Sequence, residues 1–163
     1  MRSNQPGIRA AGACAIALAI ATALTVRPAR GDSKEDHSKL PPGPIRDRAD
    51  LMEGVGKNAK AIGGALKAGK PADIEKPAAD IASVMDKYVT LFPEGSQGHG
   101  SRAKPAVWTD RKKFDELAMQ LKDQANALAA AAKSGGDVKA ASASMFNTCK
   151  ACHTDFREKM EGE

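Results

Sequence analysis

Two thiols and an imidazole lie within five residues near the C-terminus, Cys149-Lys150-Ala151-Cys152-His153. The C-x-x-C-H spacing is that of c-type haem attachment. The thiols add across two vinyl groups to form thioethers, and the adjacent imidazole ligates the iron from one axial side. On a helix, positions i, i+3 and i+4 share one face, so both sulfurs and the imidazole meet one porphyrin. A redox or zinc-binding C-x-x-C is the other chemistry open to such a pair. A thioredoxin-like site wants a βαβ pattern beside it, and a zinc site wants a second ligand pair. The sequence offers neither, because its remaining cysteine, Cys14, lies near the N-terminus.

The N-terminus has the pattern of an export signal. Arg2 and Arg9 precede an uncharged apolar stretch from Ala10 to Val26, followed by Arg27-Pro28-Ala29-Arg30-Gly31-Asp32. That is a positive n-region, an h-region and small residues at a cleavage point, which predicts a signal peptide over residues 1–31. The stretch is short for a spanning helix, so no membrane anchor is expected after cleavage. Cys14 sits early in the apolar stretch and is expected to leave with it. Bacteria couple haem to this motif outside the cytoplasmic membrane, so signal and motif support each other. The expected location is the periplasm, as a soluble protein.

Cleavage changes the charge balance. The whole chain has 25 Lys+Arg against 20 Asp+Glu, and four of the basic residues (Arg2, Arg9, Arg27, Arg30) lie in the signal. The remainder is 21 against 20, about +1, with no dense basic block interleaved with aromatics, which argues against nucleic-acid binding. The residues after the signal suit one domain.

The elements that must position the motif are helices. Residues 32–44, charged and then Pro-rich (Pro41, Pro42, Pro44), read as a flexible tail. Apolar residues then recur at helical spacing in four stripes. The first is Ile45, Met52, Val55, Ile62 and Leu66, ending at Gly69-Lys70-Pro71. The second is Ile74, Ala78, Ile81, Met85, Tyr88 and Phe92, with Asp73 as its expected cap and Pro77 tolerable within its first turn. The third is Phe114, Leu117, Leu121 and Leu128, stopping at Gly135-Gly136. The fourth, Val138 to Met160, contains the cysteine motif, with Asp137 as its expected N-cap. No segment alternates as a strand does. The predicted fold is all-α, an antiparallel up-down-up-down four-helix bundle over residues 45–163 with one long surface loop from Pro93 to Pro105. Its core is thin: the chain has four Phe, one Trp and one Tyr. A haem would add the apolar area that the side chains lack, so the haem-free chain is expected to fold poorly.

With its haem motif near the end of the last helix of such a bundle, the sequence resembles the class II c-type cytochromes, the cytochrome c′ and cytochrome c-556 group. The likeness runs over about residues 45–160. It includes Arg48-Ala49-Asp50-Leu51-Met52, Lys67-Ala68-Gly69-Lys70-Pro71, Leu91-Phe92-Pro93, Val107-Trp108, Cys149–His153 and Phe156-Arg157. It implies one haem c, with Cys149 and Cys152 as thioethers and His153 as an axial ligand. It also bears on the iron's sixth position. In the c′ branch no protein ligand fills the distal side, the iron is high-spin, and NO or CO can bind. In the c-556 branch a methionine from the first helix ligates the iron, giving a low-spin electron-transfer centre. Met52, four residues after Arg48, falls at that position, and Leu51-Met52 looks like the c-556 form. A thioether ligand favours ferrous iron.

Bundle geometry alone leaves other methionines open. Met52 is roughly 10 Å into its helix by helical rise, level with His153. Met85 lies on an inward stripe at a comparable height. Met119 is at that level but off its stripe, and Met145 shares a helix with His153. The resemblance further implies Arg157 and, more weakly, Arg48 as propionate partners or, for Arg157, a tuner of His153. Phe92, Trp108 and Phe156 are expected to pack around the porphyrin. His99 reads as a solvated loop residue and His37 as part of the tail. No acid–base pair or substrate constellation is evident, so an enzyme is not expected. The expected function is single-electron transfer with redox partner proteins, the alternative being gas binding at an open distal site. The family often pairs through its first two helices, so a homodimer is a further expectation of the resemblance.

Overall fold

The structure, a computed structural model, describes residues 37–98 and 100–159. The expected signal peptide with Cys14, residues 32–36 of the tail, His99 and the last four residues lie outside the described residues. The elements are α1 (Pro44–Ala68), α2 (Glu75–Thr90), the single-turn α3 (Ala106–Thr109), α4 (Arg111–Ser134) and α5 (Val138–Phe156). Two 3-10 turns accompany them, His37–Lys39 and Pro71–Ile74. Among the described residues there is no strand, only an isolated bridge between Ala103 and Arg157. None of the described helices is long and apolar enough to cross a membrane.

Local chemistry sets the helix ends. Pro44 opens α1, where a missing N–H and a fixed φ cost nothing. Gly69 closes it in the left-handed region at φ 65°, and the N–H groups of Gly69 and Lys70 return to Leu66 and Ala65 carbonyls at 3.3 and 2.9 Å. Gly69→Ala puts a Cβ into that conformation. It is expected to cost about 1 kcal/mol, read as a small drop in melting temperature of the haem-loaded protein. Asp137 caps α5 as expected, its Oδ1 accepting from the Ala140 N–H at 3.0 Å.

Asp73 does not cap α2. Pro71 starts a 3-10 turn that takes in Asp73, whose own N–H bonds the Lys70 carbonyl at 3.1 Å, and α2 begins only at Glu75. The tail also departs from expectation at its end. His37–Lys39 lies against α1, with the His37 Nδ1 3.3 Å from Asp50 Oδ1.

The stripes become two adjoining cores. The larger joins Val55 and Ile62 of α1 to Ile74, Ile81 and Met85, then to Leu121 and Leu128 of α4 and Met145 of α5, with alanines between. The smaller is aromatic: Phe92, Val107, Phe114 and Phe156 at the end where α2 and α5 finish and α4 starts. Helices α1 and α2, α2 and α4, and α4 and α5 pack side by side. Going round the bundle, the remaining seam, between α1 and α5, is not closed by comparable packing.

Candidate haem-binding site

A cavity of about 250 Å³ lies where that seam stays open. Helix α1 contributes Met52, Val55, Gly56 and Ala59, and α5 contributes Phe146, Cys149, Cys152, His153 and Arg157. Met85 and Tyr88 of α2 and an apolar face of α4 from Phe114 to Leu121 complete it. The helical spacing of the motif therefore brings both sulfurs and the imidazole to one cavity, as the sequence requires. Opposite them, Gly56 and Ala59 make a low wall. A Cβ built on Gly56 meets no atom within 4 Å. A slot with thiols and imidazole on one side and small residues on the other suits a flat, covalently held macrocycle.

The thiols lack the electrostatics of a redox pair. Neither is in a disulfide. Burial pushes the Cys152 thiol up to about 11, with Cys149 and Asp155 adding to the effect, and burial raises Cys149 as well. Redox C-x-x-C motifs lower the pKa of a reactive thiol; this site does the opposite. Among the described residues, the group able to gather three metal-ligating side chains is His37, Asp50 and Glu53, which includes neither cysteine.

The expected site residues divide into two sets. Met52, Cys149, Cys152, His153 and Arg157 come together around the cavity. Of the other methionines, Met85 also reaches the lining but is packed to 1% exposure. Met145 is fully buried in the core and Met119 packs at its margin, and neither lines the cavity. Met52 is only half-buried and sits on the wall facing the motif.

Arg48, Phe92, Trp108 and Phe156 do not line the cavity. The Arg48 guanidinium points at the 91–101 loop, where it donates to the carbonyls of Leu91 and Ser96 and to the hydroxyls of Ser96 and Ser101. Burial lowers its pKa, with Tyr88 acting in the opposite direction. Four of its five N–H donors are thus engaged with the loop. Phe92 and Phe156 belong to the aromatic core one layer away, and Trp108 packs on that core while its indole N–H donates to the Pro93 carbonyl at 3.0 Å. The aromatic rings that do face the cavity are Tyr88, Phe114 and Phe146. Sequence reasoning missed Phe146 by following the Met145 stripe. Its place three residues before Cys149 sets it beside that thiol. Gly56 follows Met52 by four, so counting from Met52 would have found it, while Ala59 lies on the apolar stripe of α1 read from the sequence.

Outside, a second concavity of about 310 Å³ is lined by Lys150, His153, Thr154, Arg157 and Lys159. His153 and Arg157 border both spaces, so the imidazole edge of the site lies under a basic surface.

Residues 43–157 match the family model described as Cytochrome C′. The chain is 34% identical over 119 residues to a cytochrome c′ of Rhodopseudomonas palustris, covering 71% of this chain and 82% of that protein. It is 30% identical over 121 residues to a cytochrome c-556 of Agrobacterium tumefaciens, covering 72% of this chain and 98% of that one. The fold superposes on the crystal structure of cytochrome c′ from Thermochromatium tepidum with a TM-score of 0.66 and 29% identity, over 71% of this chain and 95% of the other.

Proposed function

The chain belongs to the cytochrome c′ family, and from that premise we propose that it is a single-electron carrier whose iron is held between His153 and Met52. One covalently bound haem c is the family's cofactor, and when bound it supplies a one-electron ferric/ferrous couple. In this reading Cys149 and Cys152 would hold the haem as thioethers, and His153 and Met52 would supply nitrogen and sulfur to its iron. Arg157, one turn after His153, orients the imidazole or meets a propionate. The cavity walls exclude water, and the basic surface over His153 receives an acidic redox partner.

One observation supports the reading above others: Met52 and His153 line the same cavity from α1 and α5, the two helices whose seam is open. Export to the periplasm after loss of residues 1–31, a soluble domain over 45–163 and pairing of two copies belong to the same proposal. So does the absence of an enzymatic role.

A second reading has support of its own. Identity to the named cytochrome c′ relative exceeds that to the cytochrome c-556, which favours a high-spin centre with an open distal side that binds NO or CO. Ferric absorption and EPR spectra separate the two. Electron transfer through a His/Met centre predicts a low-spin signal with a methionine–iron charge-transfer band, both lost in Met52→Ala. A high-spin wild-type spectrum would sink it.

A further inference from the structure

We propose that the Tyr88 hydroxyl donates a hydrogen bond to a haem propionate, making Tyr88 a positioning residue that also sets the charge felt by the iron. The proposal rests on the reading that the cavity between α1 and α5 holds the haem. Tyr88 projects from α2 to the boundary of the two cores, packing against both. Its ring is fixed there, edge-on to Phe92 at a centroid distance of 5.2 Å and tilted against Phe114 at 6.3 Å. The side chain lines the cavity, and among the described residues no hydrogen bond to its hydroxyl is formed. Tyr88 is half-buried and its hydroxyl is not among the fully buried unpaired atoms, so the oxygen can be met from the cavity.

The lining offers it little: the walls are apolar apart from the two sulfurs, His153 and Arg157. An occupant can supply the acceptor in place of water, and the oxygen acceptors of a haem are its two carboxylates. Arg48 lies within electrostatic reach of Tyr88 and favours negative charge at that point. Its N–H groups stay with the loop, so Tyr88 makes the contact while Arg48 supplies the field. Burial drives the phenol pKa far up, with Cys152 adding and Arg48 opposing. The group is thus a donor, not a phenolate ligand to iron.

The test is Tyr88→Phe in the full haem-loaded protein, with haem content measured by pyridine haemochrome. The propionate bending modes in resonance Raman spectra are expected to shift. The midpoint potential is expected to fall, because a carboxylate relieved of its donor stabilises ferric iron. The fall corresponds to as much as about tenfold in the reduction equilibrium, or ~59 mV for one electron. Haem content and ferric spin state stay as in wild type. Unchanged propionate modes and potential overturn the proposal. So does a shift confined to the iron–carbon and C–O stretches of the CO adduct, which would assign the hydroxyl to an iron-bound ligand. Failure of the underlying reading looks different: the wild-type chain itself would then carry no covalently attached haem by pyridine haemochrome.

Discussion

Replacing Cys149 and Cys152 together by alanine is expected to give a chain with no covalently held haem and no cooperative melt. The first half follows from chemistry. These are the cysteines that line the cavity, and both sulfurs are free to form thioethers. The second half follows from packing. An apolar cleft of about 250 Å³ left without its occupant deprives the side chains around it of packing partners and exposes them to water, which weakens the fold. A domain of this size has only about 5–15 kcal/mol of net stability. Side chains do not close the gap, because α1 and α5 lack a packed seam and face each other partly through Gly56 and Ala59. Haem retention after denaturation and extraction checks the first claim, and calorimetry of the haem-free chain checks the second. A native-like cooperative melt without haem would show that the helices stand on their own.

Arg48→Ala is expected to be the most damaging single change outside the cavity. The residue is 5% exposed. Its four hydrogen bonds run from 2.6 to 3.1 Å and reach Leu91, Ser96 and Ser101, while the guanidinium stacks 4.6 Å from the Phe92 ring centroid and 5.8 Å from that of Trp108. Truncation leaves the part-buried Leu91 and Ser96 carbonyls without this donor and opens a hole beside Phe92. The loss should be about 3 kcal/mol, or roughly 10 °C in melting temperature. Proteolytic nicking should rise between residues 91 and 105, since Arg48 ties down that loop from α1. Arg48→Lys should rescue little, because one ammonium cannot reproduce a planar fork that serves two carbonyls and two hydroxyls at once. An alanine variant within 1 kcal/mol of wild type, with the loop still protected, would contradict this role.

Arg48 also marks where sequence reasoning stopped. Its charge is visible in the chain, but its partners lie more than forty residues away in a loop with no periodicity. Only the fold brings them together, and the arginine that the resemblance linked to a propionate holds this loop by four hydrogen bonds. The aromatics expected around the porphyrin lie off the cavity lining for a related reason. A stripe says which face of a helix is buried, not which layer it meets. Phe92 and Phe156 are indeed buried, but in the core next to the cavity, while Phe146 took the place beside Cys149. What local chemistry dictates was legible. The four stripes, the Gly69 stop, the Asp137 cap and the shared face of Cys149, Cys152 and His153 each depend on neighbours within one or two turns. Asp73 was the local exception, displaced because Pro71 starts its own turn. The open seam between α1 and α5 could not be read at all, since it is a property of how helices meet rather than of any one of them.

In the proposed centre Met52 and His153 hold one iron between them. Extended X-ray absorption at the iron edge of the ferric, haem-loaded protein reads the ligands directly. Six ligands are expected, five nitrogens and one sulfur, with the sulfur gone in Met52→Ala and unchanged in Met85→Leu. A five-coordinate, all-nitrogen iron in the wild-type protein would contradict it.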